Sequence, residues 1–413
     1  MKRYARDKTP NIKPVQRIEL SDKHLKLRII LTVVFLIIAA VAIGFGVKSC
    51  LSADKGWQEI TSSNASNSLS VMFKLFYNIG ESNTNATSEK KSVQYIYTAA
   101  AQEAYTLYDN YAPEGYMKKI NTNLNGEGVE VDPELYAALQ KMLQHGRILY
   151  YVPYFEYYEQ VFSAESDFDA SVFDPAVNDD IKERFAGLSA FINDENSVRL
   201  ELLGDNRVSL HVSDEYKAFA TDNGVDNYIG FGWLENAFAA DHISDRLKAG
   251  GHTNGYLTSV DGFTEYMNGR GFDYTAILYD RAGSTLVSAC SLSMAGAQSS
   301  VYLKNYLIST KENGYIYEDG RIVTVFFDKN GEQKTASNTM FVYSKSTGCA
   351  DAALKAVPIY TADEIDEAKL SDLKGDGIYA VVVRDKTMLY TEENLVISDV
   401  AEGYGTQRVM TGE

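Results

Sequence analysis

Residues 232–241 read Gly-Trp-Leu-Glu-Asn-Ala-Phe-Ala-Ala-Asp, and the residues that follow carry helical spacing to Lys248 before Gly250-Gly251 breaks it. A glycine-led turn therefore feeds a helix over 237–248. Glu235 sits at the helix start, where the dipole favours a carboxylate. Upstream, Lys119-Ile120-Asn121 precedes Val129-Glu130-Val131-Asp132-Pro133-Glu134-Leu135. There Asp132 can cap a helix and Pro133 suits its first turn, with Leu135 and Leu139 continuing the face to about residue 143. Ile96, Ala100, Ala104, Leu107 and Tyr111 recur in steps of three or four, another helix. Strand signals interleave with these. Residues 71–77 read as a strand, and 197–203 and 207–212 alternate around Gly204-Asp205-Asn206 as a hairpin. Further strands are predicted around 274–279, 322–327 and 379–383. Helices and antiparallel strands in one chain give an α+β class. With neither an internal repeat nor a second linker, a single domain over 71–413 is expected.

The flanks place that domain. Residues 29–47 (IILTVVFLIIAAVAIGFGV) carry no charge, and a helix of that length spans about 28 Å, near the thickness of bilayer hydrocarbon. Residues 1–28 hold nine basic side chains against Asp7, Glu19 and Asp22, a net +6 that keeps this tail cytoplasmic. The expectation is a single-pass cell-membrane protein: basic cytoplasmic tail 1–28, transmembrane helix 29–47, polar Ser/Asn-rich spacer 48–70, extracytoplasmic domain 71–413. Cleavage after Ala40-Val41-Ala42 and lipid attachment at Cys50 stay open as alternatives. Subtracting +6 from the chain's −17 leaves −23 for the rest, which disfavours nucleic acid as a partner. Cys50, Cys290 and Cys349 form no disulfide framework, though a Cys290–Cys349 bridge is open, and the five His lack metal-ligand spacing.

Taken in order, these stretches resemble the ApbE family, flavin transferases that move FMN from FAD onto a Thr or Ser of a target protein. The family's Ile-Asn and Val-x-Val-x-Pro-Glu segments look like Ile120-Asn121 and Val129 to Glu134. Its G-G-I-A-K-G-Y-A-x-D turn looks like Gly232 to Asp241, and its D-A-L-x-T helix looks like Asp351-Ala352-Ala353-Leu354-Lys355. The likeness covers about 70–400 and implies an ApbE-like (T-fold-like) domain behind the membrane helix. By position it makes Gly232, Trp233, Asn236, Asp241 and Ser299 the flavin-site residues and Asp351, with Glu235 beside the turn, the metal candidates. FAD and magnesium are the cofactors implied if the family activity is retained.

The departures fall on the chemistry. Glycines in the turn let backbone N–H groups approach a pyrophosphate. Here Trp233 and Ala237 replace two of them, and the indole is expected to fill nucleotide space. Asn236 stands where the family has Lys, removing a cation, and Lys355 stands where the metal-binding Thr belongs. Asp351 and Lys355 then read either as an i, i+4 ion pair or as a site whose metal position the ammonium takes. The family's T-S-G becomes Gln298-Ser299-Ser300, and its H-I-I-D-P-x-T-G becomes Val325 to Gly331 without the His. Phe173-Asp174-Pro175 matches the family's F-D-P but falls too late and reads as coincidence, with Tyr151-Val152-Pro153 nearer the expected place.

Three functions follow. The first is a catalytically degenerate ApbE-like domain, without cofactor, serving as a binding or assembly partner of flavinylated or other surface proteins. The second is a divergent, active FAD:protein FMN transferase that rebuilds a metal site from Asp241, Asp351 and Glu235. The third is a surface-binding module presenting Tyr150, Tyr151, Tyr154, Phe155, Tyr157 and Tyr158 as an aromatic patch, against the plainer reading of that run as a core edge.

Overall fold

A computed structural model describes residues 54–410, apart from 64–66, 81–84, 165–168, 284 and 310–311. The basic tail and the 29–47 span lie outside the described residues, among which no helix is long and apolar enough to cross a membrane.

A nine-stranded sheet organises the chain. Its strands are Gly56–Ile60 (β1), Phe73–Ile79 (β2), Gly255–Ser259 (β3), Phe263–Tyr266 (β4), Gln298–Lys304 (β5), Thr339–Ser344 (β6), Ile378–Arg384 (β7), Thr387–Tyr390 (β8) and Gly405–Arg408 (β9). Sheet order equals chain order. Neighbours are antiparallel except β8 and β9, so each strand turns back beside its predecessor, and the rest of the molecule is insertions into this meander.

Strands β6 and β7 explain the layering. Met340 and Val342 with Ala380 and Val382 join the main core, while Phe341 and Tyr343 with Val381 and Val383 join a second cluster on the opposite face. Both faces are covered, which is why these strands read as unbroken apolar runs. The second cluster is roofed by the Asp273–Ala282 and Thr285–Ala295 hairpin with Val396–Ser398. The main core lies under five principal helices: Ala86–Tyr108 (α1), Pro133–Gln144 (α2), Val152–Phe162 (α3), Glu235–Ala249 (α4) and Cys349–Tyr360 (α5).

Local chemistry sets their ends. The Asp132 carboxylate accepts from Glu134 N, and Pro133 occupies the first turn of α2 as expected. The hairpin Val198–Gly204/Arg207–Val212 turns through Asp205 and Asn206, both at positive φ (48° and 57°), the geometry that Asn and Asp tolerate.

Two expectations need correction, and two open alternatives are decided. The strand read over 71–77 begins at Phe73, because Asn67 caps a short helix, Ser68–Met72, ahead of it. Within the spacer read over 48–70, Gly56–Ile60 is the edge strand of the sheet, its Trp57 ring packed edge-on to Phe272 at 4.8 Å. Of the two readings of the aromatic run, the core edge holds over the surface patch: Tyr150, Tyr154, Phe155, Tyr157 and Tyr158 are buried in the main core, and Tyr158 stacks on Phe327. Cys290 and Cys349 are free thiols in different clusters.

Candidate functional site

The stretch 232–241 forms a one-turn 3-10 helix, Gly232–Leu234, continued by α4. Gly232 has φ +53°, a conformation that a side chain would strain. A Cβ there would meet the Phe155 ring at 3.6 Å, and one on Gly230 would meet Asn110 Nδ2 at 2.5 Å. Gly230 thus makes room for this chain's own Asn110, while Gly232 answers to its backbone conformation. Trp233 is buried, its indole stacked on Phe263 at 5.7 Å and edge-on to Phe326 at 5.1 Å.

Two cavities meet at this turn, sharing Val152, Phe155, Phe231, Gly232 and Trp233 as their common wall. One, of about 390 Å³, is walled chiefly by apolar side chains such as Ile148, Tyr151, Leu234, Val325 and Val357. His145, Arg147 and Lys329 reach its edge. The Arg147 guanidinium is already held by the carbonyls of Ile192 and Val198 (2.7 and 3.0 Å) and lies over the Tyr150 ring. The other cavity, of about 280 Å³, is acidic, with Asp109, Glu156, Glu159 and Glu235 in its lining. Asn236 also lines it and donates Nδ2–H to Asp261 Oδ2 at 2.8 Å.

The other end of α4 opens on a polar cleft of about 420 Å³ lined by Lys141, Asp241, Glu265, Ser299 and Asp351. Asp241 accepts from Cys349 N (2.6 Å) and Ala350 N (3.1 Å), so it caps α5 from a neighbouring helix. A Cβ on Gly348 would come within 2.4 Å of this carboxylate, which accounts for the glycine. Burial and then the adjacent Glu265 push the Asp241 carboxyl well up, and burial with the same two acids raises the Cys349 thiol. Asp241, Glu265 and Cys349 are the group, among the described residues, whose ligand atoms converge within 4.8 Å.

The sequence-derived site therefore divides. Gly232, Trp233, Glu235 and Asn236 face the acidic cavity, whereas Asp241, Ser299 and Asp351 line the polar cleft. Glu235 and Asp351 do not share a metal site. Lys355 neither pairs with Asp351 nor takes a metal position beside it: its ammonium binds Asp376 at 2.6 Å, and Asp351 is met by Lys141 of α2 at 2.9 Å. The i, i+4 reading fails because closer partners from other elements outcompete the intrahelical one. Asp174 of the late F-D-P match is buried and held by Arg321 and Tyr317, a structural role consistent with coincidence.

Sequence reasoning missed Lys141, Asn110 and the Glu156/Glu159 pair. Only the last left a local signal, two acids three apart in the otherwise apolar helix Tyr154-Phe155-Glu156-Tyr157-Tyr158-Glu159.

No family model and no curated protein matches this sequence. Solved structures do match in fold. The ApbE protein from Thermotoga maritima superposes with a TM-score of 0.55 at 11% identity, covering 84% of this chain and 97% of that one. The flavin transferase ApbE from Vibrio cholerae gives 0.51 at 12% identity, covering 84% and 98%. The chain has the ApbE fold, in a widely diverged sequence.

Proposed function

We propose that this is a catalytically silent ApbE-fold domain, held at the outer face of a membrane by residues 29–47, that acts as a binding or assembly partner for flavin-carrying or other surface proteins. The observation that carries the reading is the crowding beside the glycine turn, where Asn110 packs over Gly230 and the Trp233 indole fills the space against Phe263 and Phe326. Two further features support it. Asp351, the family's metal position, is neutralised by Lys141. The cavity against the turn presents Glu156, Glu159 and Glu235 and, among the described residues, no cation to meet a pyrophosphate. FAD and magnesium do not fit these residues, and phosphoryl-type transfer rests on charge and positioning that are missing. The test is to incubate the full chain in detergent with FAD, Mg²⁺ and a flavin-acceptor peptide. No covalent flavin fluorescence on the peptide is expected, and its appearance would sink the reading. Extraction by detergent but not by alkaline carbonate checks the anchor.

One observation favours the alternative, a divergent active transferase: the apolar cavity bordering the same turn, wide enough to receive a ring system. FAD titration separates the two, since micromolar binding belongs to the active enzyme alone.

A further inference from the structure

The acidic cavity behind the turn has its own chemistry. Its carboxylates come from three elements: Glu156 and Glu159 on α3, Asp109 after α1, and Glu235 at the start of α4. Tyr108, Phe155, Phe231 and Trp233 supply aromatic walls, and among the described residues no Lys or Arg lines it. Tyr111 Oη and Asn227 Nδ2 both donate to Glu156 Oε1 (2.8 and 2.7 Å) and fix that carboxylate in place. Glu235 is different. Its Oε1 is sealed from solvent and has no hydrogen-bond partner, although the residue lines the cavity. A buried carboxylate oxygen without a donor is costly and calls for one from outside the chain.

We propose that this cavity binds a small aliphatic diamine, with one ammonium donating to Glu235 and the alkyl chain and second ammonium lying between the aromatic walls and Glu159. An ammonium supplies the missing donors and opposite charge, and aromatic faces attract cations and accommodate methylenes. A compact metal ion needs its oxygen ligands drawn together. Among the described residues such convergence occurs at Asp241, Glu265 and Cys349 and not in this cavity. Spaced carboxylates with aromatic sides suit an extended cation.

Titration supports the same chemistry. Burial pushes Glu156 and Glu159 up to about 7 and raises Glu235 well above the carboxylate range. Among the described residues the charged groups acting on them are acids: Glu156 and Glu159 on α3, Asp226, Asp109 after α1, and Asp261 beside Asn236. A dication binding here competes with protons. The proposal goes beyond the silent-domain reading and does not depend on it, because FAD binding would overturn that reading and leave this one standing.

Isothermal titration of the full chain with 1,4-diaminobutane, without FAD, tests it. Saturable one-site binding near pH 8 is expected, weakened about tenfold or more near pH 6 and by Glu235→Gln or Glu159→Gln. Glu235→Gln replaces a carboxyl that lacks a partner in the free chain, so the free variant keeps its thermal stability while losing the ligand. Absence of saturable binding overturns the proposal, as does affinity unchanged in both variants or Mg²⁺ displacing the diamine stoichiometrically.

Discussion

Helix α4 carries two carboxylates six residues apart, Glu235 at its start and Asp241 near its middle, and the fold treats them in opposite ways. Asp241 is fully engaged, its two oxygens taken by the first N–H groups of α5. Glu235 leaves an oxygen buried with no donor. Both acids have their pKa raised by burial, so the pKa direction does not tell them apart. Partners do. An acid whose hydrogen bonds are complete within the chain is part of the scaffold, and one left wanting a donor at a cavity wall is set for something else to complete.

The sharpest way to probe the contrast is the residue between the cavities. Trp233→Ala would remove a buried indole and merge the two spaces, with an expected loss of about 4 kcal/mol in denaturant unfolding. A loss below about 1 kcal/mol would mean that the indole is not packed as described. Next comes the cap. Asp241→Ala strips two N–H groups of α5 of their acceptor and is expected to destabilise by about 3 kcal/mol, with Asp241→Asn milder because one acceptor oxygen survives. If the scaffold reading were wrong, both would unfold like the parent.

Third is pH. Glu156 and Glu159 titrate near 7 in the folded chain against 4.5 for an ordinary Glu, so between those values the folded chain keeps protons that the unfolded chain has released. Stability is therefore fully present below about pH 4.5 as far as these groups are concerned, and it falls as pH rises through 7. The midpoint temperature should drop between pH 5 and 8, and Glu159→Gln should flatten that drop. The smallest effect belongs to the cleft. The Lys141–Asp351 pair is partly exposed, and Lys141→Met should change stability by under about 1 kcal/mol. The same variant should not gain FMN transfer under the silent-domain reading, because Trp233 and Asn236 are unchanged in it; a gain would overturn that reading.

Legibility from sequence followed the range of the interactions. The Asp132-Pro133 helix start, the Gly204-Asp205-Asn206 hairpin and the turn into α4 were readable because neighbours in sequence decide them. The ordered set of segments was enough to suggest the ApbE fold that the solved structures share. The aromatic run was ambiguous because its spacing marks no single face, and the fold surrounds it on all sides. The site was legible residue by residue but not as an arrangement. Asp351 and Lys355 looked paired because they are four apart, yet Lys141 and Asp376 reach them first, from 210 and 21 residues away in sequence.

The sequence by itself determined that 232–241 is a glycine-led turn entering a helix, and that Trp233, Asn236 and Ala237 stand in it. Those are properties of covalent order and local backbone preference. The tertiary structure alone decided that Asn110 packs over Gly230, that Trp233 divides the space beside the turn, and that Asp241 and Glu235 end in opposite states. Each depends on side chains brought together from distant segments, and satisfaction of a buried polar group is a property of its neighbours in space.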